Sequence, residues 1–196
     1  DMFYKFKIKI LKILNYVLNK LNLSLDTCIE SNKIDKILNK LKPHDLGYTL
    51  IRVGSANDGG YLIPDILNEI DYCFSPGVGN KTDFEKHLVD KDIKTFLADG
   101  TIEKDNIDLS KFDFLNPNIA SYNSKNTITL QKWISNKIKK NSNLLLQMDI
   151  EASEYEVISS TPEETLNMFK VMIIEFHYLE KLNNNLIYEL SYNIIK

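Results

Sequence analysis

The chain has 196 residues, 43% hydrophobic, 26% charged and 10% aromatic, with a formal net charge of −3. That length suits one domain with a small appendage, and it can bury a core without disulfides or structural metals. A disordered or collagen-like chain is excluded, no apolar run is long enough to span a bilayer, and the acidic balance argues against a dedicated nucleic-acid binder.

Charge is uneven along the chain. Residues 1–42 hold nine lysines and four acids, a net of +5, whereas residues 43–196 carry a net of −8. The expected organisation is an N-terminal helical segment, 1–42, before a main domain, 43–196. Arg52 is the only arginine, which nearly excludes phosphate recognition built on guanidinium forks. Cys28 and Cys73 are too few for a disulfide framework, and no signal-peptide pattern opens the chain, so a cytoplasmic setting is expected.

Residues 4–10 alternate apolar and basic side chains like a strand. From Ile10 onward, Ile13, Leu14, Val17, Leu18 and Leu21 recur at helical spacing, and residues 5–22 read as one basic amphipathic helix. Such a helix lies on an anionic membrane surface, or it packs on the domain or a partner chain. A second helix is expected over 26–41, capped by Ser24 or Asp26 and stopped by Pro43. Strand 48–53, the turn Asn57-Asp58-Gly59-Gly60 and a short strand 61–63 follow. The remainder alternates: strand 71–74, helix 82–90, strands 93–98 and 117–121, helix 129–140, strand 144–149, helices 153–160 and 163–169, strand 171–176 and helix 182–195. This pattern predicts an α/β fold, a Rossmann-like, doubly wound and mostly parallel sheet covered on both faces.

Ligands of such sheets sit beyond the carboxyl ends of the strands. Strand 71–74 leads into Ser75-Pro76-Gly77-Val78-Gly79-Asn80, where two glycines let backbone approach a ligand closely. The third glycine of the dinucleotide fingerprint is missing. Strand 93–98 leads into Asp99, which can accept hydrogen bonds from a ribose diol. The combination fits a nucleoside cofactor without a bound diphosphate. S-adenosylmethionine is the first candidate and NAD the second. Beyond strand 144–149, Asp149 and Glu151 share a face if extended geometry persists; Glu175 and His177 do so at the end of strand 171–176. If these strands are neighbours, three carboxylates and an imidazole converge on one crevice. The plainer alternative makes Asp149 or Glu151 a cap of the helix at 153.

These residues carry a family resemblance. Met148-Asp149-Ile150-Glu151-Ala152-Ser153-Glu154-Tyr155-Glu156-Val157-Ile158 resembles the "MDIEGaEyevL" signature of FkbM-type methyltransferases, and Ile174-Glu175-Phe176-His177 is similar to the strand that follows it. Asn57-Asp58-Gly59-Gly60-Tyr61 and Leu97-Ala98-Asp99-Gly100-Thr101 resemble that family's "NDGGY" and "fDpT" segments, and Thr129-Leu130-Gln131-Lys132-Trp133-Ile134 its "TLddwl" helix start. The resemblance implies the class I methyltransferase fold, with S-adenosylmethionine as donor and a hydroxyl of a sugar or other natural product as acceptor. By carry-over, Gly77 and Gly79 line the methionine end of the cofactor and Asp99 its ribose. Ser75, Asn57 and Asp58 are further cofactor-binding candidates; Asn57 and Asp58, with Arg52, either close over the site or form a purely structural turn. Ser75 stands where such loops often carry an acid, and Ala152-Ser153 replaces the usual Gly-Ala. Only 19 residues follow His177, so a C-terminally truncated sheet is expected.

Methyl transfer needs alignment and a base for the acceptor hydroxyl. Asp149 or His177 is the expected base. Glu151 and Glu175 would orient the acceptor, and Asp149 with Glu151 could bind Mg²⁺.

Overall fold

The computed structural model describes residues 2–21, 23, 25, 28–102, 110–138 and 142–195. At its centre is a five-stranded parallel sheet made of β3 (Tyr72–Pro76), β4 (Lys94–Ala98), β5 (Asp113–Leu115), β8 (Leu144–Met148) and β9 (Phe169–Ile174). The order across the sheet is β5-β4-β3-β8-β9. The chain builds outward from β3 on one side, then returns to build on the other. β3 and β8 therefore flank the point where the winding reverses, the usual ligand position in open α/β sheets.

Burial on both faces explains the near-continuous apolar strands. All five residues of β8 are buried. Phe74, Phe96, Ala98, Leu144, Leu146 and Met148 pack on one face against α4 (Leu130–Lys137) and α5 (Glu154–Ser160) through Leu130, Trp133, Ile134, Val157 and Ile158. On the opposite face Cys73, Leu145 and Val171 meet Phe84 and Leu88 of α3 (Asp83–Val89). That face is completed by Val53 and Ile63 of an antiparallel hairpin, β1 (Leu50–Gly54) and β2 (Gly60–Pro64). Arg52 fastens the hairpin turn from within. Its Nε donates to the Ser55 carbonyl at 2.7 Å and its Nη2 to the Asn57 and Gly60 carbonyls at 3.1 and 3.3 Å.

Several expected elements shift. The third sheet strand is 113–115, not 117–121. Residues 118–119 form β6 (Asn118–Ile119), which pairs in a small separate sheet with β7 (Thr127–Ile128). The edge strand β5 has only three residues, all half-buried, and is too short to show an apolar run. The alternation in 4–10 gives way to α1 (Met2–Leu18), because the apolar stripe at helical spacing continues unbroken through it. Helix α2 (Ser31–Lys40) starts later than expected, and its expected caps Ser24 and Asp26 lie outside the described residues. α4 is capped by Thr129, whose Oγ1 accepts from the Lys132 N–H at 3.3 Å. After α6 (Glu163–Leu166), β9 starts and ends earlier than its sequence pattern suggested. Helix α7 (Asn185–Ile195) packs on α2, where Ile37 meets Leu182 and Tyr188.

Phe74 is the hinge of the larger core cluster: its ring stacks on Phe96 at 4.8 Å and meets Trp133 edge-on at 4.9 Å. Replacing it with alanine removes both contacts and leaves a cavity, an expected loss of about 3–5 kcal/mol in urea unfolding. Leu62→Ala, on the exposed face of the hairpin, is expected to cost about 0.5 kcal/mol or less.

Candidate active site

The strand ends come together through backbone. The Gly77 N–H donates to the Ala98 carbonyl at 3.0 Å, and the Asp149 N–H to the Pro76 carbonyl at 3.2 Å. Gly77 has φ +81°, and a Cβ there would lie 1.6 Å from the Asp149 carbonyl oxygen. Only glycine allows β3 and β8 to approach this closely. Gly79 differs: it too has a positive φ, but a Cβ there would meet nothing within 4 Å, because the loop opens onto a cavity.

That cavity encloses about 740 Å³ and is lined by Asp58, Gly77, Gly79, Asp99, Asp149 and Glu151 among others. Asp99 is 6% exposed. Its Oδ2 accepts from the Gly79 N–H at 3.2 Å, and its Oδ1 from the Thr101 N–H and Oγ1, both at 2.7 Å. Asp58 holds Lys81 at 2.6 Å on the exposed rim. Asn57 stays in the hairpin turn, its N–H donating to Ser55 Oγ at 3.2 Å. Ser75 is fully buried, with its hydroxyl 2.5 Å from Glu85 Oε1 and 2.6 Å from Gln147 Oε1.

At the other end His177 gathers carboxylates. Its Nε2 lies 3.4 Å from Glu151 Oε2 and 3.7 Å from Asp149 Oδ1, and its Nδ1 lies 3.1 Å from Glu154 Oε1. Asp149 Oδ1 is itself buried with no hydrogen-bond partner. Strand alternation is not what groups these residues. β8 ends at Met148, and Glu151 and Ala152 follow in the left-handed region at φ 55° and 79°. A turn, not a shared strand face, carries Glu151 to His177. β9 likewise ends at Ile174, with His177 in a turn next to Tyr178 at φ 64°. Neither Asp149 nor Glu151 caps α5, whose N-cap is Ser153 with no side-chain bond.

Glu154, which sequence reasoning passed over, is fully buried. Its Oε1 accepts from the Ile150 and Ala152 N–H groups at 2.9 and 3.3 Å while also meeting His177. The available signal was an acid on the same helix face as Tyr155, Val157 and Ile158. Gln147, the one polar residue of β8, was a similar signal; its Nε2 donates to the Tyr61 hydroxyl at 3.2 Å. Glu175 is exposed, and its backbone N–H extends the sheet by donating to the Met148 carbonyl at 2.9 Å.

A family model for the methyltransferase FkbM domain matches residues 40–192. The chain belongs to the FkbM methyltransferase family. No curated protein and no solved structure matches it.

The electrostatics of this FkbM methyltransferase domain raise the proton affinity of two groups. Burial first, and then the charge of Glu175, push the Asp149 carboxyl up to about 6, against an opposing pull from His177. Burial disfavours the imidazolium of His177, but the charge and hydrogen bond of Glu154, with Asp149 and Glu151, outweigh it and raise its pKa. Asp149, Glu151 and His177 each offer one ligand atom within 4.8 Å of the others, so this trio could hold a divalent cation, with Glu154 fixing the imidazole from behind.

The Asp149 shift carries a stability consequence. A carboxyl at about 6 in the fold and 3.8 in its ordinary state keeps its proton longer folded than unfolded. Its contribution to stability therefore falls as pH rises from about 4 to about 6. Asp149→Asn is expected to melt at a higher temperature than the parent at pH 7.5, with the difference shrinking toward pH 4.

Proposed function

We propose that this protein transfers a methyl group from S-adenosylmethionine to a hydroxyl of a saccharide acceptor. The observation that carries the reading is a single cavity. It joins a glycine-lined strand end and a buried ribose-type acid, Asp99, to Asp149 and Glu151, which His177 contacts from beside the cavity. The open space beyond Gly79 fits a bulky nucleoside ligand. A donor diphosphate has no comparable support. Arg52, the sole arginine, commits its Nε and Nη2 to the hairpin turn, which disfavours the NAD alternative.

When bound, the donor supplies an activated methyl group on a sulfonium. This chain aligns the acceptor and takes up its proton. Asp149, poised at about 6, and His177, 3.7 Å away, form the base pair. Glu151 and Glu175 supply hydrogen-bond acceptors for the remaining hydroxyls. Mg²⁺ at Asp149, Glu151 and His177 would lower the acceptor hydroxyl's pKa instead. The net charge of −8 over residues 43–196 repels a polyanion and suits a neutral acceptor, which argues against nucleic acid.

Calorimetric titration with S-adenosylhomocysteine, with NADH in parallel, tests the donor. Micromolar binding of the former alone, weakened at least about tenfold in Asp99→Ala, is expected. Binding of NADH alone overturns the reading. In turnover with a saccharide acceptor, Asp149→Ala and His177→Ala are each expected to lose about a hundredfold or more in kcat, and full activity in both removes the base assignment.

The same proposal puts the protein at the cytoplasmic face of a membrane. Residues 2–21 hold five lysines and no acid, and Phe6, Ile10, Ile13, Leu14 and Val17 of α1 are exposed. No helix of the described residues is long and apolar enough to cross a bilayer, so α1 would lie along an anionic surface. The free thiols of Cys28 and Cys73 suit a reducing compartment. Co-sedimentation with phosphatidylserine vesicles is expected in low salt and to be lost when Lys5, Lys9 and Lys12 are all changed to Glu; unchanged partitioning removes the idea.

A further inference from the structure

Glu85 is a buried acid that the catalytic reading leaves unused. It sits on α3, is 3% exposed, and borders the same cavity as Gly77, Gly79 and Asp99. A chain of hydrogen bonds runs from it across the cavity wall. Glu85 Oε1 meets the Ser75 hydroxyl at 2.5 Å, Ser75 meets Gln147 Oε1 at 2.6 Å, and Gln147 Nε2 donates to the Tyr61 hydroxyl at 3.2 Å.

Ser75 is the one side chain among the described residues that hydrogen-bonds the Glu85 carboxyl directly. Burial pushes that carboxyl up, and the bond from Ser75 opposes the shift. Among the described residues no lysine or arginine makes an ion pair with it. A buried carboxylate without a countercharge is costly, and a cationic group of a ligand in this cavity would supply one. Two other acids of the cavity sit beside donors or a base. Asp99 is held by Gly79 and Thr101, and Asp149 faces His177.

We propose that Glu85 is a cofactor-binding residue that receives the α-ammonium of the donor's amino-acid end, held ready by Ser75, Gln147 and Tyr61. The assignment rests on the S-adenosylmethionine reading. It adds a residue from α3 to the strand-end loops that the sequence pattern singled out.

The test compares S-adenosylhomocysteine with its deaminated analogue, in which hydrogen replaces the ammonium. Both are thioethers, so the sulfonium plays no part. The parent protein is expected to bind the analogue at least about tenfold more weakly. Glu85→Gln, a near-isosteric change, is expected to bind both compounds equally at the weaker level, and Glu85→Asp to regain part of the preference. A parent protein that binds both compounds equally overturns the Glu85 assignment alone, as does a Glu85→Gln variant that keeps the preference. A parent protein that binds neither overturns the cofactor reading together with the assignment. If Glu85→Gln does not fold, carboxyl-¹³C NMR of the parent protein decides. The Glu85 resonance is expected to move with S-adenosylhomocysteine and not with the analogue, and equal movement with both overturns the proposal.

Discussion

The backbone contact between the ends of β3 and β8 governs the rest of the structure. The carbonyl of Asp149 occupies the space where any side chain at position 77 would begin, 1.6 Å from an ideal Cβ. That contact joins two strands brought side by side by the reversal of the winding order, and it turns the carboxyl ends of both outward. The loop through Gly79 is then free to open, while the Asp149 side chain is directed toward His177. This close approach forms the floor of the cavity between Gly77 and Asp149.

A second constraint acts from below. Glu154 is wholly buried, and one of its oxygens serves two backbone N–H groups and the imidazole of His177. The left-handed pair Glu151 and Ala152 costs on the order of 1–2 kcal/mol per residue, and the N–H groups of the turn that contains them recover part of this by bonding to that oxygen. The arrangement projects Glu151 toward the imidazole. Three carboxylates around one ring keep the imidazole's proton affinity high, while burial keeps that of Asp149 high as well. Both groups hold a proton more tightly than they would in water, which marks the pair as a site for proton transfer. Stability is given up locally to achieve this.

The parts legible beforehand were those with a local cause. The apolar runs at 71–74, 93–98 and 144–148 are strands because both sheet faces are covered, and Gly77 is a glycine because the backbone requires it. The strands Asp113–Leu115 and Asn118–Ile119 were not separable, since three-residue and two-residue pairings leave no periodic trace. Glu85 and Glu154 were missed because an acid in the first turn of a helix ordinarily reads as a solvated partner for the dipole. Both are instead on the inward side, next to Phe84 and Tyr155 respectively.

The sequence by itself determined the alternation of strands and helices, the positions of the glycines, and the identity of the acids at the strand ends, because each depends on a few consecutive residues. Its motif order also carried the family. Only the tertiary structure decided which of those acids meet. Strand alternation pointed to Glu175 as a neighbour of His177, whereas the turn after β8 brings Glu151 and Glu154 there and leaves Glu175 exposed. The physical reason is that side-chain direction follows the period of a strand only as far as the strand runs. Both strands stop before the functional residues begin, and from there the buried Glu154, not the pleat, sets the geometry.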